Sequence, residues 1–366
     1  MPFPHFDRNR LRLKPLAERK NRVFIERDHV DTGSRPDTIS PHNAERIKIM
    51  ADEIRKSKLE KRSVIMTFGA HCIKNGLAPV LIELIKEGWI THLATNGAGI
   101  IHDWEFAYLG ESSENVQENV AAGQFGLWEE TGFYINLALA VGAYNGLGYG
   151  EAVGYMVYND GVTVPDKNEL LESIGHAEEH PERAAAAADL LDIISRKLIE
   201  PGFIKVEHRY KRFGLQSCAY ELNLPYTAHP MFGHDIIYMH PLNHGAALGR
   251  TAERDFLSFA ESVQNIEGGV YLSVGSAVMS PMIFEKSYSM AQNIHLQKGS
   301  AIGDYKIFVI DLNEANWDWN RGEPPESNPA YYVRFLKSFS RMGGDMTYLQ
   351  MDNRDFLLAL YNALNI

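Results

Sequence analysis

The alternation of helical and strand-like segments is the feature that most constrains the fold of this chain. A helical pattern begins at Pro41, and an apolar run over residues 63–68 follows it and ends at Gly69. The same order repeats in a helical pattern over 77–84 and a strand-like run over 92–95. Strands joined by crossover helices lie parallel, so we expect an α/β fold with a Rossmann-like, doubly wound, mainly parallel sheet.

The remaining segments set the expected domain organisation. Four later apolar runs also predict strands: residues 224–228, 269–274, 305–310 and 346–350. A mostly helical insertion is expected over about 113–200, and its Gly142–Gly154 part predicts either a loop or a tight contact between helices. Residues 1–40 are rich in proline and charge, which predicts an N-terminal arm that orders on a partner surface, for example between subunits. We expect residues 41–366 to form a single domain.

Composition limits the class of partner. The chain has 366 residues and a formal net charge of −11, which argues against a nucleic-acid footprint because phosphate binding needs clustered Lys and Arg. Cys72 and Cys218 are too few for a disulfide framework, so a reducing cytoplasm is the expected setting. No run of roughly 20 apolar residues, the length that spans a bilayer, is present. The expected partner is therefore a small molecule.

The turn after the second predicted strand is the most informative motif. It reads Thr-Asn-Gly-Ala-Gly-Ile-Ile-His-Asp over residues 95–103. We expect Gly97 and Gly99 to take positive φ and to let the backbone approach a ligand, with Ala98 keeping the approach open. In an open α/β sheet, ligands bind beyond the carboxyl ends of the strands.

The other predicted strands end in polar residues as well. The groups expected at this edge of the sheet are His71, Asn75, Asn96, His102, Asp103, His229, His234, Asp235, Ser276, Asp311, Asn313, Asp352 and Asn353. Asp and Asn after a strand are also ordinary helix N-caps, and each cap stabilises its helix by about 1 kcal/mol. For any one of these residues, a role as a cap and a role in a functional site are equally supported. The shared location, and not any single residue, predicts a site.

Two other kinds of site, a metal site and a phosphate site, have weaker support in the sequence. His229, His234, Asp235, His240 and His244 follow neither the HExxH pattern nor a CxxC pair, so we expect no metal. The turn at Gly275 and Ser276 is of the kind that binds phosphate at a helix N-terminus, although it falls short of GxGxxG.

From about residue 60 to the C-terminus, the chain resembles the deoxyhypusine synthase family, whose members move the aminobutyl group of spermidine with NAD through a lysine imine. The 95–103 turn is similar to the family's NAD-lining turn. Residues 224–238 are similar to a family segment in which a carboxylate holds the polyamine, and the resemblance places Asp235 there. Residues 348–353 resemble a third family segment, which places Asp352 against the cofactor. With the other strand ends, the expected cofactor-binding residues are Thr95, Asn96, Gly97, Ala98, Gly99, Asp103, Gly275, Ser276, Asp311 and Asp352. His102, His234 and Asp235 are the expected substrate-binding residues.

The resemblance assigns the catalytic lysine less firmly. Lys337 stands eight residues after Pro329, as the family's lysine follows a proline, whereas an ungapped alignment from Gly322 puts Val333 in its place. Residues 331–339 also have the spacing of an amphipathic helix, in which Lys337 is an ordinary solvated lysine.

Two of the family's catalytic positions are substituted. His102 replaces the glutamate that grips the amine, and residues 280–282 replace a Lys-His-His sequence. The resemblance implies a cytoplasmic, homotetrameric, NAD-dependent transferase that moves an aminobutyl group between small amines or polyamines, as in homospermidine formation. The alternatives are an NAD-binding regulatory protein without catalysis and a lyase that uses NAD internally.

Overall fold

A computed structural model describes residues 3–365 of the chain. Its strands are β1 (Asn21–Phe24), β2 (Val64–Phe68), β3 (His92–Thr95), β4 (Glu111–Glu114), β5 (Gly161–Val164), β6 (Gly202–Lys205), β7 (Tyr226–Ala228), β8 (Val270–Val274), β9 (Lys306–Asp311) and β10 (Asp345–Gln350). Its helices are α1 (Ile25–Asp28), α2 (Pro41–Leu59), α3 (Ala70–Lys74), α4 (Ala78–Lys86), α5 (Gly97–Leu109), α6 (Val116–Ala121), α7 (Glu129–Tyr144), α8 (Tyr149–Asn159), α9 (Lys167–Gly175), α10 (Pro181–Lys197), α11 (Leu215–Glu221), α12 (Gly245–Gln264), α13 (Met279–Gln297), α14 (Arg334–Ser340) and α15 (Asn353–Leu364).

Six of these strands form one parallel sheet. Their order across the sheet is β10-β9-β8-β2-β3-β7, and every neighbouring pair is parallel. If these six strands are numbered 1 to 6 as they occur along the chain, the order read from the β7 edge is 3-2-1-4-5-6. This order is consistent with a Rossmann-like doubly wound fold. The expected α/β class and parallel sheet are confirmed.

The sheet is covered on both faces because its strands are apolar on both sides. Val64, Met66 and Phe68 belong to the larger core cluster, whereas Ile65 of the same strand belongs to a second cluster with Phe259 of α12. Alternation of this kind follows from the two-residue period of a strand. Helices α2, α4 and α15 pack on the first face, and α12, α13 and α14 pack on the second.

The predicted elements lie close to the observed ones. The helix expected from Pro41 is α2, the strand expected over 92–95 is β3, and the later predicted strands are β7 to β10. The Gly142–Gly154 part is a tight helix contact: a Cβ on Gly142 would lie 2.4 Å from the Cβ of Ala152. Small side chains are needed there because α7 and α8 touch.

The chain between β3 and β7 contains helices α5 to α11 and strands β4, β5 and β6. Strands β5 and β6 form one small antiparallel sheet, and β4 forms another with β1 of the N-terminal segment. Leu16 and Ile25 of that segment are fully buried in the larger core cluster. Around these residues the N-terminal segment packs within its own chain, and its ordering on a partner surface stays a prediction.

Side chains cover the edge of the sheet at β10. Asn320 accepts a hydrogen bond from Met346 N–H at 2.8 Å and donates one to Met346 C=O at 3.1 Å, as a neighbouring strand would. Arg46 and Asn43 donate to the carbonyls of Tyr348 and Gln350. These bonds occupy main-chain groups that would otherwise offer a template for another strand.

No helix within residues 3–365 is both long enough and apolar enough to cross a membrane.

Candidate functional site at the carboxyl edge of the sheet

The strand order places a topological switch point between β2 and β8, where ligands bind in sheets of this type. The loops that follow these strands touch there: a Cβ on Gly69 would lie 2.2 Å from the carbonyl oxygen of Gly275. Gly275 itself has a φ of +58°. Ser276 is buried, and its Oγ accepts a hydrogen bond from Ser280 N–H in the first turn of α13.

The 95–99 turn has a different geometry from the one expected. Gly97 and Gly99 belong to the first turn of α5, so the expectation of positive φ at these residues is wrong. A Cβ on Gly97 would lie 2.1 Å from Asp235 Oδ2, and a Cβ on Gly99 would lie 2.3 Å from Thr95 Oγ1. Both glycines make room for protein side chains and not for a ligand.

The polar residues of this turn already have partners in the protein. The Oγ1 of Thr95 donates to the carbonyl of Phe68, and the side chain of Asn96 accepts from Gly99 N–H as the N-cap of α5. Asp103 is fully buried, and its two carboxylate oxygens accept the main-chain N–H groups of Leu215 and Gln216, each at 2.9 Å. Burial raises the pKa of Asp103 to about 7, although these two bonds oppose the shift.

Four expected site residues, Ala98, His102, His234 and Asp235, meet at one cavity of about 210 Å³ beside this turn. Its lining comprises Arg19, Lys74, Ala98, Ile101, His102, Glu105, Ser113, Glu114, Val116, Phe125, His234, Asp235 and Ile236. His102 and Ala98 come from α5, and His234 and Asp235 come from the loop after β7. The cavity therefore brings together all three residues expected to bind a substrate.

Asp235 is the carboxylate of this cavity that has an unsatisfied oxygen. Its Oδ2 is buried and has no hydrogen-bond partner among the described residues. Burial raises the pKa of Asp235 to about 6. The hydroxyl groups of Tyr149 and Tyr238 are also buried without a partner, and burial, followed by the charge of Asp235, raises the pKa of each. A buried polar group without a partner costs free energy, so this cluster is suited to a ligand that donates hydrogen bonds.

A buried ion pair forms the floor of the cavity. Arg19 of the N-terminal segment binds Glu105 of α5 through two bonds of 2.7 Å, and both side chains are almost completely buried. Ser112 donates to Glu105 at 2.5 Å, and Thr131 donates to it at 2.9 Å. Neither Arg19 nor Glu105 was expected from the sequence, because 86 residues separate them and no motif contains either one.

This network determines the tautomer of His102. Because the Ser112 hydroxyl donates to Glu105, it accepts at 2.7 Å from His102 Nδ1, which therefore carries the proton. His102 Nε2 is then an acceptor. Burial lowers the pKa of His102 to about 4, with Glu105 opposing the shift, so the ring is neutral at pH 7. A neutral imidazole of this tautomer is able to accept a hydrogen bond at Nε2 from a bound molecule.

The remaining expected residues lie elsewhere. Asp311 accepts from Asn313 after β9, and Asp352 is the N-cap of α15 and accepts from Arg354 N–H. Within residues 3–365, no group of three or more His, Cys, Asp or Glu side chains is arranged to hold a metal ion.

Lys337 lies far from the cavity in the order of the sheet. Lys337 belongs to α14, which precedes β10, whereas Asp235 follows β7. β10 and β7 are the two edge strands of the sheet, and the five strand spacings between them amount to roughly 24 Å. The Nζ of Lys337 binds Glu323 at 2.7 Å and lies 3.5 Å from the centre of the Tyr331 ring. These contacts hold the 319–332 segment against α14.

No protein-family model and no curated protein sequence matches the chain. Solved structures match it at low similarity. ArgZ, an arginine dihydrolase from the ornithine-ammonia cycle in cyanobacteria, is 15% identical with a TM-score of 0.40 over 89% of this chain. AgrE in its ternary complex with ornithine and NAD+ is 14% identical with a TM-score of 0.43 over 90% of this chain.

A conserved putative LOR/SDH protein from Methanococcus maripaludis S2 is 13% identical with a TM-score of 0.43, over 91% of this chain and 72% of its own. This chain spans about a third of the length of ArgZ and AgrE, 33% and 34% respectively. Similarity at this level transfers neither an activity nor a ligand.

These matches correct the family expected from the sequence. The structures that the fold resembles are ArgZ, AgrE and the LOR/SDH protein, so the assignment to the deoxyhypusine synthase family is wrong. The aminobutyl-transfer activity and the polyamine substrates depended on that family and are wrong with it. The catalytic role of Lys337 stays a prediction, and its ion pair with Glu323 lies on the helix before β10, at the opposite end of the strand order from β7.

Proposed function

We propose that this protein is an NAD-dependent enzyme that acts on a small substrate carrying an amine. The observation that supports this most is the cavity beside the carboxyl edge of a 3-2-1-4-5-6 sheet, lined by a buried carboxylate with an unpartnered oxygen. That strand order is the one on which dinucleotides bind at the switch point. A substrate ammonium would supply the donors that Asp235 lacks.

The residues around the switch point fit a dinucleotide better than the 95–99 turn does. At that turn the carboxylate of Asp235 lies against the start of α5 and would repel a pyrophosphate. Residues 69–72, which run into α3, and the loop 275–278 contain no acidic residue, and α13 begins directly after that loop. The carboxylate whose charge acts on this place is that of Asp352, which adds to the effect of burial in raising the pKa of Cys72. We infer that Gly69, Gly275 and Ser276 lie under the pyrophosphate, where the α13 N-terminus favours negative charge.

Asp311 and Asp352, at the neighbouring strand ends, are our candidates to accept hydrogen bonds from ribose hydroxyls. Bound NAD would supply the hydride acceptor. The chain's own residues would bind and orient the amine: Asp235 would hold the ammonium, and His102 would accept a hydrogen bond from it at Nε2. The Arg19–Glu105–Ser112 network keeps His102 in the required tautomer.

Binding of the dinucleotide is the first test. Titration of the protein with NAD+ and NADH, followed by calorimetry, should give saturable binding. Ala277 is exposed, so Ala277→Glu adds a negative charge at the start of α13 and should weaken NAD+ binding by about tenfold or more. Ala277→Gln, of the same size and neutral, is the matched control. Absence of nicotinamide dinucleotide binding would contradict the proposal.

Binding of the amine is tested separately. Ornithine, arginine and simple diamines should raise the melting temperature of the NAD+ complex, and Asp235→Asn should remove that effect without changing NAD+ affinity. Formation of NADH from any of these amines, lost in Asp235→Asn, would establish turnover. Equal amine binding by the wild type and Asp235→Asn would exclude Asp235 as the amine site.

A further inference from the structure

Four polar side chains form a continuous hydrogen-bonded chain beside β3 and β7. Ser262 Oγ lies 2.7 Å from His92 Nδ1, His92 Nε2 lies 3.0 Å from Thr227 Oγ1, and Thr227 Oγ1 lies 2.9 Å from His229 Nε2. The members of this relay chain are Ser262, His92, Thr227 and His229. Each of them can both donate and accept a hydrogen bond.

The relay chain runs from one edge of the sheet to the other. His92 is the first residue of β3, at its amino end, and His229 directly follows the carboxyl end of β7, where its N–H donates to the carbonyl of Thr95. Ser262 is half-buried and lines an open groove of about 540 Å³ at the amino edge. The two ends of the chain therefore lie in different solvent environments.

The interior of the relay chain is closed to water. His92 is fully buried, Thr227 is 2% exposed and His229 is 8% exposed. The ring of Phe259 lies edge-on to both imidazoles, at 5.4 Å from His92 and 5.2 Å from His229. Because these three side chains are buried, their hydrogen-bonded groups are a path for a proton between the two edges at this point.

We propose that the relay chain conducts protons between the amino-edge groove and the carboxyl edge of the sheet. In one polarity, Ser262 donates to His92 Nδ1, His92 donates through Nε2 to Thr227, and Thr227 donates to His229 Nε2, which leaves the proton on His229 Nδ1. When a base removes that proton, each member gives one proton to its neighbour and receives one. Ser262 then takes a proton from water, so one proton crosses and the chain ends in the reversed polarity.

The use of this path in turnover rests on the proposed function, because an amine oxidation at the carboxyl edge must release protons. Conduction itself does not depend on it. The inference is therefore tested on the full-length protein without any ligand, and the result stands whether or not NAD or an amine binds.

The test measures how fast the ring N–H of His92, the fully buried interior member, exchanges with water. Protein labelled with 15N-histidine is examined by NMR, and the His92 signal is assigned by its loss in His92→Gln. Ser262→Ala closes the path to the amino edge and Thr227→Val closes the path to the carboxyl edge, and we expect the two together to slow this exchange about tenfold or more relative to either one alone. Ser258→Ala, an exposed serine on the same helix and outside the chain, should leave the rate unchanged.

The single variants give a second readout. In Ser262→Ala, exchange at His92 can continue only through Thr227 and His229, so adding Thr227→Val should slow it further, whereas adding Thr227→Ser should not. If the variant with both Ser262→Ala and Thr227→Val folds normally and leaves exchange at His92 unchanged, the relay is overturned and the chain only satisfies buried polar groups.

Discussion

The carboxylate of Asp235 occupies the space that a side chain on Gly97 would fill. A Cβ on Gly97 would lie 2.1 Å from Asp235 Oδ2 and 2.6 Å from its Cγ. The start of α5 and the loop after β7 are therefore in direct contact, and this contact sets the shape of the cavity.

Gly97→Ala should destabilise the protein, because the new methyl group must displace Asp235. We expect a loss of about 1–3 kcal/mol in the free energy of unfolding, measured with urea. Gly175→Ala in α9, where a Cβ meets no atom within 4 Å, is the control and should be neutral or stabilising. If the two residues are coupled, Asp235→Ala combined with Gly97→Ala will lose less than the sum of the single variants.

Asp235 should also make stability depend on pH. Burial raises its pKa to about 6 in the folded state, above the value of an unfolded aspartate, so the folded state binds more protons between about pH 4 and pH 6. The favourable contribution of this group is complete below pH 4 and is lost as the pH rises through 6. Relative to the wild type, Asp235→Asn should gain up to about 3 kcal/mol of stability between pH 4 and pH 8.

Urea unfolding of both proteins at several pH values measures that difference. The exposed Glu178→Gln serves as the control for a lost surface charge. A constant difference between Asp235→Asn and the wild type across this range would contradict the burial of the carboxylate.

The Arg19–Glu105 pair should behave as a buried salt bridge. Arg19→Met leaves the Glu105 carboxylate buried without its cation, which should cost about 3–5 kcal/mol in the free energy of unfolding. Adding Glu105→Gln should recover part of this loss, since the uncompensated charge is removed. Arg27→Ala, which breaks the exposed pair with Asp28, is the control and should have no measurable effect.

The same variant should loosen the N-terminal segment. Arg19 and the β1–β4 pairing tie residues 3–30 to the rest of the chain. Limited proteolysis of Arg19→Met should therefore cut within this segment faster than in the wild type. Unchanged cleavage there would show that the other contacts suffice.

Asn320→Ala should expose the edge of the sheet at β10. The substitution removes both hydrogen bonds to Met346 and leaves its main-chain N–H and C=O available to another strand. We expect increased self-association, measured by light scattering under conditions where the wild type is unchanged. Asn316→Ala, an exposed neighbour with no recorded hydrogen bond, should behave as the wild type does.

The secondary structure could be predicted because it depends on local patterns. Residues 92–95 are a short run that ends at the small-residue turn with Gly97 and Gly99, and the Pro41 helix has a regular apolar face, so both were expected from the sequence. Asp352 was expected either as a helix N-cap or as a cofactor ligand, and its hydrogen bond to Arg354 N–H is that of a cap. The roles of Gly97 and Gly99 were not predictable, because the side chains that fill their space include one that lies 138 residues further along the chain.

The sequence alone determined the α/β class, the parallel sheet, the ends of its strands and the meeting of His102, His234 and Asp235 at one edge. The class and the strands follow from the periodicity of apolar residues, which acts over a few residues. The meeting of the three side chains follows from the geometry of parallel strands, which acts over the whole sheet. Only the tertiary structure decided the chemistry of the cavity. Burial and long-range partners determine which polar groups are satisfied, and this is why Arg19 and Glu105 form its floor while Asp235 keeps an unpartnered oxygen.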